Sequence, residues 1–210
     1  MIQEKYHTII DEWEYPRKEL EQLYYDELEQ CVVQYGKKMG WDPAQKRQSF
    51  VPGINAVDPK VVGKKYLTDW PLLHEVWSKF NIKDFNVDDM DMLVYDQGYE
   101  FPPHVDFKQN CVIMMPILPE HGATPIKYYT VPGLTLTKYT KYRDLDKEKY
   151  LDYTYNYSTK YPSLSNGWVI HGVGPLPPDE TRVFLRIKIL KEYYEDCIEK
   201  LKEGTFVNDI

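Results

Sequence analysis

His104 and Asp106 stand on alternate residues at the end of the stretch Tyr95-Asp96-Gln97-Gly98-Tyr99-Glu100-Phe101-Pro102-Pro103-His104-Val105-Asp106. In an extended chain, residues i and i+2 share a face, so one ion can reach both. A second histidine, His171, closes the apolar run of Asn166-Gly167-Trp168-Val169-Ile170-His171-Gly172-Val173. Two imidazoles and one carboxylate make a facial set of three ligands that suits Fe(II) and leaves positions open for other molecules. A thiolate zinc site has no support, because the three cysteines, Cys31, Cys111 and Cys197, form no Cys-x-x-Cys pair. Arg182 opens the run Arg182-Val183-Phe184-Leu185-Arg186-Ile187-Lys188-Ile189. A guanidinium there stays charged when buried and can hold a carboxylate in a bidentate pair.

These residues need strands to position them. Met92 to Tyr95, Cys111 to Leu118, Ile126 to Val131, Leu134 to Tyr139, Tyr153 to Tyr157, Trp168 to His171 and Arg182 to Leu190 read as strands. Pro and Gly punctuate them at Pro102-Pro103, Pro119, Pro132-Gly133, Asn166-Gly167, Pro175 and Pro177-Pro178. Short strands in this number suggest a barrel or a sandwich. The last strand alternates, with Val183, Leu185, Ile187 and Ile189 on one face and Arg182, Phe184, Arg186 and Lys188 on the other. The first face is expected to pack on helices.

Three helices are expected. The first starts near Pro16 and carries Leu20, Leu23, Tyr24, Glu27, Leu28, Cys31, Val32 and Tyr35 at helical spacing, Glu27 being the one polar member, with Gly36 or Gly40 as its stop. The second opens at Thr68 or Asp69, with Pro71 inside its first turn and Leu72, Leu73, Val76, Trp77 and Phe80 on one side. The third runs from Lys191 to Glu203, before Gly204. Residues 51–63 read as an ordered loop. The expected organisation is one domain over 1–210, with helical support in 1–85, a β core in 92–190 and a C-terminal helix in 191–204.

The chain has 210 residues, 42% of them hydrophobic, enough for one packed core. The net charge of −7 argues against binding nucleic acid by general phosphate neutralisation. It leaves open a local basic groove around Lys127, Lys138, Lys141 and Arg143. No apolar run reaches the roughly 20 residues of a membrane span, and no signal peptide is visible. Three scattered cysteines suit reduced thiols, so a cytoplasmic protein is expected.

The pattern Tyr95-x-x-Gly98-x-x-Phe101-x-x-His104-x-Asp106, the strand-end His171 and Arg182 eleven residues beyond it resemble the Fe(II)/2-oxoglutarate-dependent oxygenase superfamily. The first stretch is most similar to its prolyl-4-hydroxylase-like branch. The strand at Cys111–Leu118 and the run Ile126-Lys127-Tyr128-Tyr129 look like small bacterial or viral relatives. The resemblance covers about residues 92–190. It implies a double-stranded β-helix, a jelly-roll or cupin-like barrel that is mainly β with flanking helices. It implies His104, Asp106 and His171 as iron ligands and catalytic residues, with Arg182 holding the distal carboxylate of 2-oxoglutarate. Tyr95 is a second candidate contact to that cosubstrate, Asn110 another polar candidate, and Arg186 the alternative to Arg182. The implied reaction consumes 2-oxoglutarate and O2, releases succinate and CO2, and hydroxylates a substrate, with a peptidyl, prolyl-type target slightly favoured. The retained Asp106 favours hydroxylation over halogenation.

Other readings stay open at this level. The chain could be an inactive oxygenase-fold binding protein, a cupin-like metal enzyme independent of 2-oxoglutarate, or an oxygenase that modifies nucleic acid. Its substrate could be a peptide, a small molecule or a nucleic acid. Tyrosines crowd the segment from Tyr139 to Tyr161, where they either pack on a half-buried strand or grip a substrate. His7 and His74 are expected in helical surroundings and His121 in a turn. Asp89 and Asp91 read as a turn and a solvated edge.

Overall fold

The computed structural model describes residues 5–34, 54–95, 100–106, 109–120, 124–134, 136, 142, 144–177 and 180–208. Its strands are β1 (His7–Ile9), β2 (Val32–Gln34), β3 (Ile54–Val57), β4 (Met90–Tyr95), β5 (Phe101–His104), β6 (Cys111–Leu118), β7 (Ile126–Tyr129), β8 (Leu151–Tyr155), β9 (Ser163–Asn166), β10 (Ile170–Val173) and β11 (Arg182–Ile189). Its α-helices are α1 (Arg17–Leu23), α2 (Pro71–Ser78), α3 (Lys147–Tyr150) and α4 (Tyr194–Lys202). One sheet runs β1-β9-β6-β11-β4-β3-β2 and the other β5-β10-β7-β8.

The pairing of the last eight strands defines the architecture. β4 pairs with β11, β5 with β10, β6 with β9 and β7 with β8, all antiparallel. First therefore meets last, second meets second-last, and so on inward. This is a long hairpin wound over on itself, its strands shared between two sheets: a double-stranded β-helix.

The alternation of β11 decides what lies on each side of the larger sheet. Val183, Leu185, Ile187 and Ile189 are buried in an outer core with Leu20, Leu28, Leu73, Val76, Ile198 and Phe206 from the helical layer and the C-terminal segment. Phe184 points the other way, between the sheets, with Tyr6, Ile126, Tyr128, Tyr155 and Tyr157. Arg182 and Arg186 share that inward face, as their spacing predicts.

Several expectations change. The first helix does not continue to Gly36 or Gly40. It passes through a π turn at Tyr24–Leu28 and a 3-10 turn at Glu29–Cys31, and Val32 enters β2. Val32 and Val33 are β-branched, and pairing with β3 claims them. Within 51–63, Ile54–Val57 is that paired strand and not a loop. β1 and β9 also lie outside the strands expected from local pattern. The second helix starts at Pro71 and not at Thr68 or Asp69, which belong to a separate 3-10 turn at Leu67–Asp69, and the third starts three residues late, at Tyr194. Of the expected strand from Leu134 to Tyr139, residues 135 and 137–139 lie outside the described residues, as do His121, Lys138, Lys141 and Arg143. Among the described residues, no helix is long and apolar enough to cross a membrane.

Candidate metal centre

The small sheet brings the two histidines face to face. In the β5–β10 register His104 lies directly opposite His171, and their ring centroids are 4.3 Å apart. Gly172 permits this approach: a Cβ there would come within 2.8 Å of the Phe101 carbonyl oxygen and 3.0 Å of the Pro103 nitrogen. Asp106 follows β5, and its backbone N–H donates to the Gly167 carbonyl at 3.1 Å. Gly167 is equally confined, because a Cβ there would lie 2.7 Å from the Gln109 carbonyl oxygen. Nitrogen and oxygen atoms of His104, Asp106 and His171 then all lie within 4.8 Å of one another.

Hydrogen bonds set the tautomers. His104 Nδ1 is 3.0 Å from the Pro102 carbonyl, and His171 Nδ1 is 2.8 Å from the Val169 carbonyl. A carbonyl oxygen only accepts, so each Nδ1 carries the proton. That leaves Nε2 of each ring as the nitrogen able to act as a ligand, and both face the Asp106 carboxylate, at 3.5 and 3.7 Å. Those separations are too long for hydrogen bonds and leave room between the atoms. A backbone partner on the far ring nitrogen is what a metal-binding imidazole requires of its surroundings.

The protonation states agree. Burial pushes the Asp106 carboxyl up, but His171 and His104 beside it outweigh that and hold it at about 2. Burial first, and then His104, lowers the His171 imidazole to about 4, against the pull of Asp106. At neutral pH an anionic carboxylate thus sits beside a neutral His171, as a divalent cation demands of its ligands.

A cavity is lined by these three residues together with Tyr95 and Arg182. Arg182 is 3% exposed, yet its Nε has no hydrogen-bond partner. Its guanidinium carbon lies 4.3 Å from the Phe184 ring centroid, 5.1 Å from Tyr157 and 5.7 Å from Tyr95. An aromatic box holds the cation without neutralising it. Tyr95 is the cross-strand neighbour of Arg182 on β4. Burial raises its hydroxyl pKa, against Arg186 and Arg182. Burial pushes the Tyr157 hydroxyl up to about 12, with Arg182 pulling the other way.

Arg186 lines the same cavity in a different state. Its Nε and Nη2 donate to the two carboxylate oxygens of Asp91, at 2.8 and 2.9 Å. Asp91 is therefore not a solvated edge. It is an inward-facing residue of β4, directly opposite Arg186 in register. Its place on the Tyr95 pleat face, four residues earlier, was the sequence signal. Asp89 does lie in a turn, where its carboxylate accepts from the Asn86 N–H.

Other candidates resolve differently. Asn110 does not line the cavity. Its side chain donates to the Leu190 carbonyl and accepts from Trp168 Nε1, and its carbonyl accepts from the Gly167 N–H. It supports the loop that receives Asp106. His7 is not helical: it is fully buried in β1, its Nδ1 2.7 Å from the Tyr128 hydroxyl. Of the tyrosines at 153, 155 and 157, the last two are buried in the inter-sheet core, and only Tyr157 lines the cavity. His74 is in α2, and Tyr139 lies outside the described residues.

No protein-family model matches the chain, and no curated protein sequence matches it. Among solved structures, it is similar to HygX from Streptomyces hygroscopicus, crystallised with nickel and 2-oxoglutarate (10% identity, TM-score 0.45, 90% of this chain and 84% of that one). It is also similar to SnoN, an epimerase crystallised with Fe3+, alpha ketoglutarate and nogalamycin RO (11% identity, TM-score 0.40, 81% and 72%). A third similar structure is EvdMO1 (14% identity, TM-score 0.33), where the match covers 47% of this chain and spans a quarter of that protein's length. The architecture given above rests on the strand pairing and not on these likenesses.

Proposed function

We propose that this protein is an Fe(II)- and 2-oxoglutarate-dependent oxygenase that hydroxylates its substrate. One observation carries the reading. Two imidazole nitrogens and a carboxylate converge in the wall of a cavity that is also lined by a buried guanidinium with an unpartnered Nε. A buried guanidinium that, among the described residues, has no carboxylate on it and one unpartnered nitrogen is costly, so Arg182 is built to receive an anion.

In this reading His104, Asp106 and His171 hold the iron. Arg182 takes the distal carboxylate of 2-oxoglutarate, with Tyr95 and Tyr157 beside it. Arg182 is chosen over Arg186 because Asp91 already occupies the fork of Arg186. When bound, the metal and cosubstrate supply the oxidation, in which O2 and 2-oxoglutarate give succinate, CO2 and a hydroxyl on a substrate C–H carbon. The chain orients the ligands through the Pro102 and Val169 carbonyls. It excludes water with Phe101, Ile126 and Phe184, so the fixed charges act in a low dielectric. A prolyl-type target rests on the motif leading into His104, of which residues 96–99 lie outside the described part.

The test is anaerobic addition of Fe(II) and 2-oxoglutarate. A stoichiometric charge-transfer band, followed by succinate formation on admitting air, supports the reading. A folded protein that gives neither contradicts it.

A further inference from the structure

His7, Tyr128 and Ser165 form a buried line of hydrogen bonds that the proposed reaction leaves unused. His7 lies directly opposite Ser165 in the β1–β9 register, and Tyr128 reaches both from the small sheet. The Tyr128 hydroxyl is 2.7 Å from His7 Nδ1 and 2.9 Å from Ser165 Oγ. Tyr128 is also the cross-strand neighbour of His171, so the line ends beside the metal centre. Ser165 lines the cavity with His104, Asp106 and His171. Its partner in β6, Val112, lines the same cavity, as expected of opposite residues on one sheet face. Packing does not account for His7. A phenylalanine would fill the same place against Tyr155 without burying a nitrogen that has no partner.

The direction of these bonds follows from what is left unpaired. His7 is fully buried, and its Nε2 has no hydrogen-bond partner. Burial, with His171 adding to it, lowers its pKa well below the ordinary value, so the ring is neutral and carries one proton. With that proton on Nε2, Ser165 would donate to Tyr128 and Tyr128 to Nδ1, and a buried N–H would go unpaired. Orphaned buried N–H groups are rare in folded proteins. With the proton on Nδ1, His7 donates to the Tyr128 oxygen and Tyr128 donates to Ser165 Oγ. The donor left over is then the Ser165 hydroxyl hydrogen, in a cavity where a ligand can accept it. Among the described residues, Ser165 Oγ has no hydrogen-bond partner besides Tyr128.

The cavity has a matching need. 2-Oxoglutarate carries a carboxylate at each end. In the proposed reaction Arg182 takes the distal one, with Tyr95 and Tyr157 beside it, and His104, Asp106 and His171 hold the metal. Arg186 is committed to Asp91. Of the polar side chains that line the cavity, Ser165 is the one left to serve the metal-side carboxylate. We infer that Ser165 donates a hydrogen bond to that carboxylate and is held as a donor by His7 acting through Tyr128. The inference rests on the proposed reaction. Ser165 makes the contact, and His7 and Tyr128 are positioning residues.

The test starts from the unmodified protein, isotopically labelled at its histidine nitrogens and loaded with zinc and 2-oxoglutarate. His7→Phe identifies the His7 signals. Their NMR shifts should show a neutral ring, protonated at Nδ1 and bare at Nε2. Binding of 2-oxoglutarate is then read from the anaerobic charge-transfer band of the iron-loaded protein. Ser165→Ala should raise half-saturation about tenfold, the value of one charge-assisted hydrogen bond, with the iron stoichiometry unchanged. Ser165→Thr, which keeps the hydroxyl, should recover most of the loss. His7→Phe should raise half-saturation several-fold, and this effect should vanish in the Ser165→Ala background, because it acts through the Ser165 hydroxyl. A residue that only supports the fold would act equally in both backgrounds. A His7 protonated at Nε2, half-saturation unchanged by Ser165→Ala, or a His7→Phe effect that is absent or persists in full without the hydroxyl overturns the inference. The protonation of His7 is read on the unmodified protein, so it decides whichever variants fold. Absence of the band in the unmodified protein would instead remove the underlying reading.

Discussion

His104 and His171 are cross-strand partners, one on β5 and one on β10, each with its Nδ1 bonded to the carbonyl two residues before it. The metal centre is thus a property of strand register. A slip of one residue would turn one imidazole to the opposite face. The side chain that guards this register is the missing one at Gly172. Gly172→Ala should force β5 from β10 and destabilise the fold by about 1–3 kcal/mol, the usual cost of overpacking. Its loss of metal affinity should exceed that of a surface Gly→Ala change. Urea denaturation and metal titration of the variant check both.

Arg182 should separate cosubstrate binding from metal binding. Arg182→Ala removes the buried partner of a carboxylate, a change worth about 2–5 kcal/mol. Half-saturation by 2-oxoglutarate should rise by roughly two orders of magnitude, with the metal affinity unmoved. Arg182→Lys should recover part of the loss, because an ammonium keeps the charge without the fork. Equal 2-oxoglutarate dependence in all three proteins would place the cosubstrate elsewhere.

Asp91 predicts a pH dependence. Burial raises its carboxyl pKa, but Arg186 and Lys188 more than offset this, and the folded value lies below the ordinary one. A carboxyl lowered on folding stabilises the protein above its unfolded pKa, roughly 4, and loses that contribution as pH falls through the folded value. The acid limb of the stability curve should therefore be shallower in Asp91→Asn. At neutral pH the same variant leaves Arg186 unpaired and should lose about 3 kcal/mol. Urea midpoints from pH 7 down to pH 3 measure both effects.

Asn110 supports the loop that receives Asp106. Asn110→Ala leaves Trp168 Nε1 without its acceptor and the Leu190 carbonyl without its side-chain donor. A cost of about 1–3 kcal/mol is expected for these lost buried bonds. Metal affinity should fall by roughly 10–100-fold, as for other groups that orient ligands at one remove. Thermal denaturation and metal titration of the variant would show stability and affinity falling together. An unchanged metal affinity would confine Asn110 to stability.

The sequence made legible what residue type and short spacing carry. His104 and Asp106 two apart, Arg182 at a strand start and the alternation of β11 all depend on local periodicity. The partners stayed hidden because register is long-range. Nothing local places Asp91 opposite Arg186, 95 residues away, or His7 against Tyr128, 121 residues away. The same holds for β2 and β3. Val32–Gln34 follows a helical stripe and becomes a strand only because Ile54–Val57 pairs with it. The tyrosines were ambiguous for a related reason: their spacing shows a shared face, while the second sheet decides that this face is buried core.

The central claim is that three side chains hold a metal at which 2-oxoglutarate can also bind. The most direct measurement is the anaerobic charge-transfer band on titrating Fe(II) into the protein with 2-oxoglutarate, compared with His104→Ala and Asp106→Ala. The account predicts one equivalent of iron, a band that requires both components, and its loss in both variants with the fold retained. A band that survives the loss of either ligand, or none in the unmodified folded protein, would contradict it.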